Sequence, residues 1–172
     1  MFNSLIALVL AVVPAPVNVN IVKITDGDTA VADNGSLQAP VRVVCIDAPE
    51  TPRTPQEVAR QDAVAITQFK FGKLAKSRIE QLNRESGGKA AIARLAVDQY
   101  GRNLASVQFP QGDWGETLLK EGLAVVYAPN PKQCDLVKLQ NLEAVAKEQK
   151  LGVWGVTDGS WIAPSAFRKT LK

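Results

Sequence analysis

Four short stretches of this chain place carboxylates and arginines at spacings that suit phosphate chemistry: Asp26-Gly27-Asp28-Thr29, Arg42, Asp47-Ala48-Pro49-Glu50 and Tyr100-Gly101-Arg102. Asp28 and Asp47, converging at the rim of a rigid scaffold, would hold a hard cation, with water and a backbone carbonyl filling its other positions. Glu50, just past Asp47 and stiffened by Pro49, is placed to take a proton from an attacking water without ligating the metal. Guanidinium groups bind phosphate oxygens in two-point fashion and stay charged at any working pH, which suits Arg42 and Arg102 to a phosphate clamp. Arg42 stands at an odd offset from Asp47, so the two meet only if the strand between them bends or bulges. Singly, each stretch reads as a turn or a strand exit with solvated charges. The four together, in this order, point to a site.

The chain has no histidine. That excludes a Ser-His-Asp triad, an imidazole base, a two-Cys, two-His zinc finger and an HExxH metalloprotease site. Two cysteines cannot make a four-cysteine zinc site. Hydrolysis would then rest on carboxylates, arginines, hydroxyls and backbone groups with an oxygen-seeking cation. The formal charge of +3, from 20 Lys and Arg against 17 Asp and Glu, permits a polyanionic partner without requiring one. At 172 residues, 46% hydrophobic, the chain has room for one core.

The elements that must position these groups follow from pattern. Asn18 to Ile24 alternates as a strand, and Thr29 to Ala32 continues it as a hairpin around Asp26-Gly27-Asp28. Asn34-Gly35 predicts a type I′ turn. Val41 to Ile46 reads as one central strand, followed by a Pro-rich loop through Pro55. Gln56 to Arg84 has helical periodicity, with Gly72 as a candidate break, and the basic residues among Phe69 to Arg78 read as a solvated helix face. Ala90 to Val97 and Leu104 to Phe109 form a strand pair. Asp113 caps a short helix ended by Gly122. A last helix over Lys132 to Lys150 buries Leu136, Leu139, Leu142, Val145 and Ala146. Five short strands suit a small closed barrel of the OB type, with about three packed helices, an α+β protein. The strand count by itself leaves sandwiches open.

Leu5 to Val13 is an apolar run too short to span a bilayer, which takes about 20 residues. It suits the core of a secretory signal, although no Lys or Arg precedes it and Pro16 follows Ala15. A buried first strand and an uncleaved membrane anchor are the alternatives. The domain reading is an N-terminal apolar segment over 1–17, a barrel domain over 18–155 and a C-terminal extension over 156–172. Trp154 and Trp161 pack the C-terminal segment onto the barrel rather than stacking bases, and Arg168-Lys169-Lys172 reads as a loose basic tail.

The Asp-Gly-Asp-Thr hairpin, Arg42, the Asp-x-Pro-Glu stretch and Tyr-Gly-Arg, with Glu121-Gly122-Leu123-Ala124, Tyr127 and Leu151-Gly152-Val153-Trp154, resemble the staphylococcal nuclease (thermonuclease) family over roughly Val22 to Trp154. The resemblance implies an OB-fold barrel and a calcium-dependent endonuclease that cuts DNA and RNA and leaves 3′-phosphate ends. It implies Asp28, Asp47 and the Ala48 carbonyl as calcium ligands, and Glu50 as general base. Arg42 and Arg102 become the phosphate clamp, Asp26 a support behind the metal site, and Tyr100 and Tyr127 the lining of the nucleotide pocket. One tyrosine stands near 127 where the best-known relative has two, and the stretch from Glu50 to Tyr100 is longer. In the family fold Cys45 and Cys134 come near one another, so a disulfide and a pair of buried thiols are both open. The expected setting is a secreted or periplasmic monomer without an obligate protein partner, or one anchored by its N-terminal segment. The alternative function is a non-catalytic nucleic-acid or protein-binding module on the same barrel.

Overall fold

The computed structural model describes residues 15–171. The apolar run Leu5–Val13 lies outside the described residues. The chain forms strands β1 (Val17–Asp26), β2 (Thr29–Asp33), β3 (Gln38–Val43) and β4 (Ile46–Asp47), then a one-turn helix α1 (Pro55–Val58) and the long helix α2 (Ala63–Glu85). Strands β5 (Lys89–Val97), β6 (Asn103–Phe109) and β7 (Gly112–Asp113) follow, then α3 (Trp114–Lys120), β8 (Val125–Val126), α4 (Leu136–Glu148) and one-turn α5 (Pro164–Phe167).

The main sheet runs β3-β2-β1-β5-β6-β7, and a parallel pairing of β3 with β6 closes it into a five-stranded barrel of β1, β2, β3, β5 and β6. Closure sets Val41 against Asn103 and Arg42 against Leu104, so the turn that ends at Arg102 arrives beside the strand that carries Arg42. Among the described residues, no helix is long and apolar enough to cross a membrane.

The core joins inward residues of the barrel (Val19, Ile21, Val41, Val107) to Phe71, Ala75 and Ile79 of α2 and to Trp114 and Leu118 of α3. Bulges between Ile21 and Lys23 and between Ile24 and Asp26 shift the alternation of β1, and Asp26 ends buried with the apolar set.

Several sequence expectations are corrected. Val41 to Ile46 is not one strand. The backbone leaves β3 after Val43, Cys45 takes a left-handed φ of 69°, and β4 pairs instead with β8. This is the bend that Arg42 and Asp47 need to share a face. The helix expected from Gln56 starts twice, because Thr54 caps α1 and the Asp62 side chain accepts the Ala65 N–H to begin α2. The Asn34-Gly35 turn is not type I′, which needs positive φ at both residues; of the two only Gly35 has it. Instead the Asp33 and Asn34 side chains accept the amides of Gly35, Ser36 and Leu37. Helix α4 begins at Leu136 behind the Asp135 cap, and Val145 is 48% exposed rather than buried.

Gly72 does not break α2. It lies buried inside the helix, where a Cβ would fall 2.1 Å from the Glu50 carbonyl oxygen and 2.8 Å from that of Pro49. The missing side chain lets the helix touch the loop that carries Glu50. Alanine is the better helix former by about 1 kcal/mol, but overpacking against backbone costs about 1–3 kcal/mol. Gly72→Ala is therefore predicted to lower the midpoint of thermal unfolding. A raised midpoint would contradict this packing.

Candidate active site

The β1–β2 turn is fixed before any ligand is considered. Gly27 packs so closely that a Cβ would meet those of Ala48 and Ala75 at 2.7 Å. Its carbonyl accepts the buried Trp114 Nε1–H at 2.7 Å. Asp26 Oδ1 accepts the Asp28 N–H at 3.2 Å, which turns the Asp28 side chain toward the loop after β4. There Asp28 Oδ2 accepts the Ala48 N–H at 2.8 Å, and Oδ1 accepts the Thr29 hydroxyl at 3.1 Å.

Arg42 bridges the two candidate metal carboxylates, pairing with Asp28 through Nη1 and with Asp47 Oδ1 through Nη2 at 2.9 Å. Burial lowers the pKa of this guanidinium from its ordinary value, an effect that Asp47 and Asp26 oppose. The strand bearing Asp47 is braced from its other side. Tyr127 N–H donates to the Cys45 carbonyl at 3.0 Å, and Val126 N–H donates to Glu143 Oε1 at 2.8 Å. Cys45 and Cys134 form a disulfide, which ties the bend to the segment before α4.

Across the cleft, Arg102 Nε donates to Asp98 Oδ2 at 2.7 Å, while Asp98 Oδ1 accepts the amides of Tyr100 and Arg102. The Arg102 guanidinium lies 5.5 Å from the Tyr100 ring centroid, and the ring is 74% exposed. The cleft holds about 480 Å³, and Asp26, Asp28, Arg42, Ala48, Glu50, Tyr100, Arg102 and Tyr127 are all on its wall. Asp47 is the exception: 1% exposed, it lies beneath guanidinium groups. A larger hollow of about 640 Å³, between the Asp33–Gly35 turn and the start of β5, has no comparable cluster of charge.

Two arginines and a glutamine escaped the sequence reading. Arg53 Nη2 donates to Asp26 Oδ2 at 3.0 Å and to Glu50 Oε2 at 3.2 Å. Its closeness to Glu50 in a Pro-stiffened loop is a usable signal. Gln68, fully buried, accepts the Glu50 N–H through Oε1 at 3.4 Å. Arg168, expected in a loose tail, reaches the site and donates to both Asp47 and Glu50. Burial pulls its pKa down, but the hydrogen bonds to Asp47 and Glu50 outweigh that and raise it above the ordinary arginine value. Lys172 lies outside the described residues. Trp154 and Trp161 pack edge to face at 6.4 Å, joining the C-terminal segment to the core.

The fold and the charge arrangement define a small-barrel protein whose rim gathers buried carboxylates and guanidiniums in one cleft. The profile of the staphylococcal nuclease homologue family matches residues 40–156, and the chain belongs to that family. It is 30% identical over 138 residues to a thermonuclease of Staphylococcus hyicus, an overlap of 78% of this chain and 73% of the relative. It is 36% identical over 141 residues to the endonuclease YncB of Bacillus subtilis, covering 80% of this chain and 62% of the relative. To the SPbeta prophage-derived endonuclease YokF of the same organism it is 37% identical over 142 residues, 80% of this chain and 44% of the relative. The chain thus spans less than two thirds of either Bacillus protein.

The disulfide closes a loop between residues 89 positions apart, for which chain entropy gives ~4–5 kcal/mol and removal of such bonds commonly costs 2–5 kcal/mol. The double variant Cys45→Ser, Cys134→Ser is predicted to unfold at clearly lower denaturant, with reductant shifting the parent protein the same way. Coincident transitions would contradict a bond in the folded protein.

Proposed function

We propose that this chain is a calcium-dependent endonuclease that hydrolyses phosphodiester bonds of DNA and RNA and leaves 3′-phosphate ends. The observation that carries the reading is the gathering of Asp28, Arg42, Asp47, Glu50 and Arg102 from four separate stretches of chain around one cleft.

Among the described residues, no three Asp, Glu, Cys or His side chains converge as a ready metal cage. The donors available are two carboxylates, Asp28 and Asp47, bridged by Arg42, with Ala48, whose N–H bonds Asp28, as the candidate source of a backbone carbonyl ligand. This all-oxygen set fits a hard cation that keeps several waters, and fits soft metals poorly. Bound there, the ion would supply positive charge against the scissile phosphate.

The remaining work falls to side chains. Glu50 accepts a proton from the attacking water as the water oxygen bonds to phosphorus, while the bond to the 5′-oxygen breaks and that oxygen takes up a proton from solvent to leave as a hydroxyl. The phosphate stays on the 3′-oxygen. Arg42, once its carboxylates are otherwise neutralised, and Arg102 stabilise the negative charge on the equatorial oxygens. Asp98 orients Arg102, and Asp26 shapes the turn that presents Asp28. Tyr100 and Tyr127, exposed at the mouth, offer rings to bases or sugars. One chain supplies every group, so a monomer suffices. The disulfide supports an exported protein, since such bonds persist in oxidising compartments.

Heat-denatured DNA incubated with calcium should be cut, and a chelator should abolish cutting. Arg102→Gln should lower the rate ~10²–10³-fold, as loss of a transition-state donor does, and Glu50→Gln ~10²–10⁴-fold, as loss of a general base does. Cleavage without metal, or unchanged rates in both variants, would contradict the mechanism. Intact DNA with retained binding would favour the non-catalytic module.

A further inference from the structure

We infer that Arg168 is an intramolecular counter-cation for the carboxylate site, which a divalent cation must displace in order to bind. The inference rests on the metal reading above and adds a residue from beyond the matched family profile, which ends at residue 156.

Asp47 has no free oxygen. Its Oδ1 accepts Arg42 Nη2 at 2.9 Å and Arg168 Nη1 at 3.1 Å, and its Oδ2 accepts Arg168 Nη2 at 2.9 Å. The same Arg168 Nη1 reaches Glu50 Oε1 at 2.7 Å, so one planar fork spans the candidate ligand and the candidate base. The guanidinium thus engages both oxygens that a cation on Asp47 would use. A divalent cation on Asp47 would add two charges beside the two guanidiniums already there, and Arg168, 39% exposed against 13% for Arg42, is the one with room to leave.

The segment that brings Arg168 is built into the fold. Phe167 is fully buried against Ala65 and Phe69, with the two rings edge to face at 5.6 Å and Arg60 over the Phe167 ring at 5.3 Å. Gln68 Nε2 donates to the Ile162 carbonyl at 2.5 Å, while its other end accepts the Glu50 N–H. One buried amide therefore couples the C-terminal segment to the catalytic loop. Phe167 fixes the backbone at position 168. The Arg168 side chain, 39% exposed, has a path into solvent that leaves this packing undisturbed. The fork neutralises Asp47 and Glu50 together, and its strength sets the cation concentration needed to displace it.

The test is calorimetric titration of calcium chloride, at low ionic strength and without nucleic acid, into the parent protein, Arg168→Gln and the double variant Arg168→Gln, Asp47→Asn. Melting curves in chelator verify that each is folded. Arg168→Gln should bind calcium about tenfold more tightly, because a competing charge is removed from a largely desolvated carboxylate. Added Asp47→Asn should abolish that gain. Equal affinity in parent and Arg168→Gln would overturn the inference and leave the metal reading standing. Absence of binding in both would overturn the two together. A gain that survives Asp47→Asn would place the ion away from Asp47 and overturn both the inference and the assignment of Asp47 as a ligand.

Discussion

Four buried carboxylates, Asp26, Asp28, Asp47 and Glu50, are linked into one chain by the guanidiniums of Arg42, Arg53 and Arg168. Acids brought out of water repel one another and lose hydration, and a single unpaired member costs several kcal/mol. Each guanidinium here bridges two carboxylates: Arg42 joins 28 to 47, Arg53 joins 26 to 50, and Arg168 joins 47 to 50. The acidic rim can exist only while these bridges, or a cation in place of one, neutralise it. Ion pairs of this kind contribute little to stability compared with apolar packing, so the cluster makes physical sense as a place where charge is exchanged for ligand.

The barrel makes the exchange site rigid. Asp28 is set by the Gly27 turn under Trp114, Asp47 by its two-residue pairing with β8, and Glu50 by the contact of its loop with Gly72. Parallel closure of β3 on β6 brings Arg42 and Arg102 to one side. None of these supports is itself charged. Apolar packing and backbone pairing set the frame, polar side chains such as Asp26, Asp98 and Glu143 trim it, and the candidate groups are polar and held against each other.

The clustering of the candidate residues was legible where a local rule applied. Asp28, Arg42, Asp47, Glu50 and Arg102 were readable because turn residues, strand ends and spacing carry information over short distances. The bend at Cys45 was deducible as a need, from the odd offset of Arg42 and Asp47, though nothing local fixes a positive φ on a cysteine. Gly72 was misread because a helical glycine looks the same whether it breaks a helix or admits a neighbouring backbone; only the tertiary contact with Glu50 tells them apart. Arg168 was lost for a related reason. A basic residue near a chain end reads as solvated, and the burial of Phe167 that recruits it depends on Ala65 and Phe69, about a hundred positions away.

The central claim is that the carboxylate and guanidinium groups of this cleft are a cation and phosphate site. A crystal structure with calcium and a short, non-hydrolysable single-stranded oligonucleotide tests it most directly. The account predicts the ion on Asp28, Asp47 and the Ala48 carbonyl, with Arg42 and Arg102 turned from their carboxylates onto one phosphate and Glu50 facing a water in line with it. An ion bound elsewhere, or a nucleic acid seated away from the cleft with Arg42 still bridging Asp28 and Asp47, would contradict it.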